Sequence, residues 1–143
     1  MEGGPDPDNR RPMIWEPEQQ DQELLAHYRH LIALRHKHVA LRTDGVWTCL
    51  AQDETSVYAY LRGKLVMGDA QPSDEVVLVV LNNSEASHYI EVPLQIPERG
   101  EKACWADGTA VRDELSGRVY RVEKGMVRLE LGAYEGAVIS KFN

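Results

Sequence analysis

The apolar residues of this chain recur every third or fourth position before Arg42 and every second position after it. That change of period constrains the fold more than any other feature. In the first regime Leu24, Leu25, Tyr28, Leu31, Ile32 and Arg35 share one face of a helix, whose side chains return to the same side every 3.6 residues. Pro17 suits a first helical position, because the N–H it lacks would have no intrahelical partner there. Glu18, Asp21 and Glu23 crowd the opening turns, and Arg35, His36, Lys37 and His38 crowd the last. That polarity complements the helix dipole at both ends. The spacing predicts one helix over 17–38, and a stripe this broad needs a large apolar surface to lie against.

In the second regime Ser56–Arg62, Glu75–Leu81, Tyr89–Val92, Val119–Val122 and Met126–Leu131 alternate or run apolar as strands do. Weaker strand signals lie at Trp47–Ala51, Lys102–Trp105 and Gly136–Lys141. Turn residues separate them at Gly63-Lys64, Asn82-Asn83, Pro97 to Gly100, Asp107-Gly108, Ser116-Gly117 and Lys124-Gly125. Seven or eight short strands with no helix between them predict a mainly β fold, an antiparallel Greek-key sandwich. Val76–Leu81 is apolar on both faces and so belongs at the sheet centre, whereas Arg128 and Glu130 point away from the core that Val127, Leu129 and Leu131 face. The chain therefore divides into residues 1–42, a loop and one long helix, and residues 43–143, the sandwich. A lone helix before a sandwich is an incomplete architecture.

Composition excludes several classes. With 143 residues the chain can bury a core without metal or disulfide staples. Its net charge of −7 argues against nucleic acid, which calls for a basic face. The acidity is concentrated in residues 43–143, at −6 against −1 for residues 1–42. No apolar run is long enough to span a bilayer, and the opening residues lack the charged-then-apolar pattern of a secretory leader, so a cytoplasmic location is expected. Cys49 and Cys104 are too few for a disulfide scaffold and read as small buried thiols. The Asn82-Asn83-Ser84 sequon carries no meaning without a leader.

Candidate sites are few. His27 and His30 stand one turn apart with His36 and His38 following, but no third ligand keeps metal-site spacing, so neither a metal nor another cofactor is expected. No nucleophile elbow or carboxylate pair marks a catalytic centre. Trp47 and Trp105 offer sugar-stacking faces, although aromatics of a sandwich more commonly fill its core. Tyr58 and Tyr60 share one strand face, as packing residues do. The best prospect is Asp6 with Arg10, four residues apart in a loop stiffened by Pro5 and Pro7. Such a carboxylate–guanidinium pair can clamp sugar hydroxyls, one group accepting and the other donating. The alternative is an idle surface ion pair.

The segment Glu2-Gly-Gly-Pro-Asp-Pro-Asp-Asn-Arg-Arg-Pro-Met-Ile-Trp15, followed by Gln20-Asp-Gln-Glu-Leu-Leu-Ala-His-Tyr-Arg-His-Leu-Ile-Ala-Leu-Arg35, resembles the α-amylase superfamily, glycoside hydrolase family 13. The similarity is greatest to its neopullulanase, cyclomaltodextrinase and maltogenic amylase branch. Val57-Tyr-Ala-Tyr60, Val79-Val-Leu-Asn-Asn-Ser84 and Gly132-Ala-Tyr134-Glu-Gly136-Ala are similar to that branch's C-terminal sandwich. Two positions depart from the pattern. Asp113-Glu-Leu-Ser-Gly117 stands where the branch often has Asp-Leu-Leu-Thr-Gly, and Asn9 where it often has cysteine.

The resemblance implies that residues 1–16 are the loop after the eighth strand of a (β/α)8 barrel and 17–38 its last helix. Asp6 and Arg10 would then match substrate-contacting residues, functional only in a full-length enzyme. The nucleophilic aspartate, the acid/base glutamate and the stabilising aspartate of that family lie on earlier barrel strands, so no catalytic residue is assigned to this chain. The implied partners are the barrel itself and an α-glucan or cyclodextrin substrate. The helix stripe further implies self-association of the isolated chain, or burial on its own sandwich. The competing expectation is a non-catalytic starch- or maltooligosaccharide-binding module.

Overall fold

The computed structural model describes residues 4–10, 12–43, 45–64, 75–96 and 103–142. They form two compact units, residues 1–34 and 35–143. Lys102 and the Pro97–Gly100 turn lie outside the described residues.

In the first unit the helix begins later than the sequence predicts. Pro17 does open a turn, but a separate 3-10 turn over Pro17–Gln19, closed by Gln20 N–H donating to Pro17 O at 3.2 Å. Gln20 then adopts an extended backbone and breaks the helical path. Helix α1 spans Gln22–Lys37, capped by Asp21, whose Oδ1 accepts the Leu24 N–H at 2.9 Å. A short carboxylate satisfies an otherwise orphaned first-turn donor in this way, and proline cannot. The basic last turn is as expected, with Arg35, His36 and Lys37. Leu24, Tyr28 and Ile32, one turn apart, are 50, 58 and 56% exposed.

The second unit contains eight strands among the described residues: β1 Val46–Gln52, β2 Val57–Arg62, β3 Val77–Asn82, β4 His88–Pro93, β5 Ala110–Asp113, β6 Val119–Arg121, β7 Met126–Leu131 and β8 Gly136–Lys141. Six form one sheet in the order β1-β2-β3-β8-β5-β6, and β4 and β7 form a second. Every pairing is antiparallel. The chain crosses between sheets at β3–β4, β4–β5, β6–β7 and β7–β8. The predicted antiparallel sandwich is thus the observed architecture.

Alternation builds the core. Val57, Ala59 and Leu61 of β2, Val127, Leu129 and Leu131 of β7, and Ile90 and Val92 of β4 meet between the sheets. Strand β3 is buried on both faces, as its uninterrupted apolar run predicts. Leu78 and Val80 face the main core, while Val77 and Val79 pack on the outer side with Ala40, Leu41, Tyr60 and Val138. Ala40 and Leu41 belong to a 3-10 turn, Val39–Arg42.

Two strand readings need correction. Residues 103–105 make only an isolated bridge, Gln95 to Ala103, with Cys104 N–H donating to Leu94 O at 3.1 Å. Strand β5 carries no period-two signal because it is four residues long and pairs mostly polar positions with β6 and β8. Its place in the sheet comes from Asp113, a buried carboxylate. Oδ1 of Asp113 accepts the N–H groups of Leu115 at 3.1 Å and Val138 at 3.0 Å, and Oδ2 accepts the Ser116 N–H at 3.1 Å and the Ser116 hydroxyl. One side chain thereby closes the turn after β5 and ties it to β8.

Candidate functional site

Asp6 and Arg10 are brought together as their spacing suggests. The chain turns through a 3-10 turn at Asp8–Arg10, Arg10 N–H donates to Pro7 O at 3.0 Å, and Arg10 Nη2 lies 2.5 Å from Asp6 Oδ1. Both side chains are open to solvent, 71% for Arg10 and 63% for Asp6, so their mutual attraction is screened and adds little stability. Met13, Ile14 and Trp15 follow, all exposed. Gln20 Nε2 donates to Ile14 O at 2.8 Å and folds this stretch back beside the start of α1. A cleft of about 450 Å³ lies elsewhere, in the sandwich; here an apolar recess of about 570 Å³ runs along Trp15, Leu24 and Tyr28.

The other sequence candidates take structural places. Trp105 is buried in the main core, and Trp47, partly buried, packs against that core. Tyr58 and Tyr60 stack on each other at 5.3 Å, and the Tyr58 hydroxyl meets Thr48 Oγ1 at 2.8 Å. His27 stands edge-on to Tyr28, while His38 is buried in the other unit. Among the described residues no three His, Cys, Asp or Glu side chains converge as a metal site. Cys49 and Cys104 are free thiols. Burial pushes Cys49 up to about 11 and Cys104 up to about 12, which makes both poor nucleophiles. The sequon is a turn. Asn82 Nδ2 donates to Ala86 O and Gly132 O, each at 2.7 Å, and its Oδ1 accepts from Ser84, leaving no amide hydrogen free.

Two clusters carry no mark in the sequence. The first surrounds His38, only 4% exposed. Its Nδ1 donates to Glu75 Oε1 at 2.5 Å, and Glu75 Oε2 accepts the Ala40 N–H at 3.1 Å. Its Nε2 lies 3.5 Å from Glu114 Oε1. Glu114 in turn accepts from Lys37 Nζ at 2.9 Å and Ser140 Oγ at 2.7 Å. Burial works to raise the Glu114 carboxyl, but these hydrogen bonds and the Lys37 and His38 charges outweigh it and hold the group below its ordinary value. The cluster ties the end of α1 to Glu75 before β3, Glu114 after β5 and Ser140 of β8.

The second is the cleft of about 450 Å³ lined by Ser87, Arg118, Tyr120, Glu130, Gly132 and Glu135. Arg118 pairs with Glu135 Oε1 at 3.4 Å and lines the cleft beside Tyr120. These residues come from four separate places in the chain, so no local motif announces them.

The model of the alpha amylase C-terminal all-beta domain matches residues 47–141. Neopullulanase 2 of Thermoactinomyces vulgaris is 35% identical over 139 residues, covering 97% of this chain and 21% of that protein. Cyclomaltodextrinase of Geobacillus thermopakistaniensis (strain MAS1) is 36% identical over 101 residues, covering 71% of this chain and 16% of that protein. A solved cyclomaltodextrinase superposes over 99% of this chain and 21% of its own, with a TM-score of 0.76 and 26% identity. The chain therefore spans about a fifth or less of the length of these relatives.

Proposed function

This chain belongs to the alpha amylase C-terminal all-beta domain family, and from that premise we propose that it is the C-terminal part of a retaining α-glucan hydrolase of the neopullulanase–cyclomaltodextrinase type. The observation that carries the reading is the continuity of similarity through 97% of the chain to a neopullulanase, beyond the family match at 47–141. In this reading residues 1–42 complete a catalytic barrel, with the loop 1–16 on its substrate side and the helix 17–38 on its wall. The sandwich, residues 43–143, covers an apolar end of that barrel and stabilises it by burial.

The longer enzyme cleaves α-1,4 bonds of cyclomaltodextrins, pullulan or maltooligosaccharides through an aspartate, a glutamate and a second aspartate supplied by the barrel. This chain alone is not catalytic. Asp6 and Arg10 contact sugar hydroxyls in the assembled site, where exclusion of water strengthens hydrogen bonds that solvent weakens in the isolated chain. Two free thiols accord with a cytoplasmic setting, and no helix among the described residues is long and apolar enough to cross a membrane.

The test compares the isolated chain with the longer enzyme on γ-cyclodextrin and pullulan. The isolated chain is expected to release no reducing sugar. In the longer enzyme Asp6→Ala and Arg10→Ala are each expected to raise KM about tenfold, the loss of roughly 1.4 kcal/mol of sugar contact. Hydrolysis by the isolated chain would overturn the assignment.

A further inference from the structure

We propose that the cleft lined by Ser87, Arg118, Tyr120, Glu130, Gly132 and Glu135 is a second binding site, for a neutral polyhydroxylated ligand, a stretch of α-1,4-linked glucan. It is distinct from the Asp6–Arg10 loop, and the choice of glucan among polyols rests on the function proposed above. The cleft of about 450 Å³ falls within the range of small-ligand sites, roughly 300–1,000 Å³.

Its chemistry narrows the ligand. Arg118 offers donors only, and Glu130 and Glu135 offer acceptors only. A sugar hydroxyl both donates and accepts, so adjacent hydroxyls can satisfy a guanidinium and a carboxylate side by side. One cation among two carboxylates provides no net positive field for an anion. With Arg118 within 3.4 Å of Glu135, a free metal cation meets an occupied carboxylate. Tyr120 supplies an aromatic surface from the wall. Tyr89, 68% exposed, stands directly opposite Glu130 across the β4–β7 pair. A pyranose presents an apolar C–H face to such rings and hydroxyls at its rim.

The site is also built before any ligand arrives. Glu135 uses Oε2 to accept the Gly132 N–H at 2.6 Å, which leaves Oε1 turned towards Arg118. Arg118 also donates to Glu130 O at 3.5 Å. Polar groups fixed in place by neighbours lose little freedom on binding.

Titration of the full 143-residue chain with maltoheptaose, followed by 15N amide shifts, tests the site. Saturable shifts centred on Ser87, Arg118, Tyr120 and Gly132 are expected, with binding weakened at least about tenfold in Arg118→Ala. Ser87→Ala, which removes one hydroxyl from the rim, provides a second readout should Arg118→Ala lose its amide dispersion, and it too must weaken binding. Absence of saturable shifts, shifts centred on the Asp6–Arg10 loop, or equal affinity in a folded Arg118→Ala would overturn the proposal. The experiment reads binding alone. Its failure leaves hydrolysis by the longer enzyme untouched, and failure of hydrolysis leaves bound maltoheptaose visible.

Discussion

Asp113 shows how one residue can decide the placement of a strand with little apolar content. Its buried carboxylate receives donors from the turn at Leu115 and Ser116 and from Val138 of β8. Replacement by alanine would leave three backbone N–H groups without acceptors. An unmade hydrogen bond in a buried place costs about 1–3 kcal/mol, and local relaxation recovers part of the total. Asp113→Ala is therefore expected to lower stability by about 3 kcal/mol, read as a lower urea midpoint at unchanged slope. Ser116→Ala removes one of several donors to the same carboxylate and should cost about 1 kcal/mol. Equal, small losses in both variants would mean that the clamp does not hold β5. The same pair gives the motif Asp113-Glu-Leu-Ser-Gly117 a structural role, its aspartate accepting and its serine donating within one turn.

At the scale of elements, the legible parts of the fold were those whose burial is periodic. Strands β2 and β7 bury alternate residues along their length, and β3 buries both faces as its unbroken apolar run predicts. Strand β5 was not legible because only Val111 and Asp113 of its four residues are buried, and a buried aspartate reads as a turn. The helix start was misread because the proline signal was genuine but belonged to a different turn, with the Asp21 cap four residues on. The Asp6–Arg10 ion pair is legible from its spacing, whereas a sugar-contacting role for it is an expectation that only the resemblance carries. The cleft residues, drawn from the β3–β4 turn, the β5–β6 turn running into β6, β7 and the β7–β8 turn, share no local pattern.

The exposed line Leu24, Tyr28 and Ile32 is an element-scale liability in water. The isolated chain is expected to associate through it as concentration rises. Leu24→Lys combined with Ile32→Lys should abolish that association in sedimentation velocity without lowering the urea midpoint, since neither side chain is in the core. A wild-type chain that stays monomeric at high concentration would contradict this reading.

On the scale of the whole molecule, the contacts of residues 35–42 determine how the chain can be cut. Ala40 is buried with Val77 and Val79 on the outer face of β3, and Lys37 and His38 meet Glu114 and Glu75. A sandwich beginning at residue 43 loses all of these, exposes Val77 and Val79, and removes Lys37 and His38 from beside Glu114. One beginning at residue 35 keeps them. Uncovering the two valines is expected to cost about 2–4 kcal/mol, so the shorter sandwich should unfold at distinctly lower urea. Acid provides an independent check. The Glu114 carboxyl is held below its ordinary value of 4.5, so its contribution is complete above that pH and is lost as pH falls through the depressed value. The 35–143 sandwich should show that acid limb, and Glu114→Gln should flatten it. The 43–143 sandwich, lacking Lys37 and His38, should show a weaker one. Equal stability of the two sandwiches at neutral pH would mean that the 3-10 turn at Val39–Arg42 only rests on the sheet, and that residue 43 is as good a boundary as residue 35.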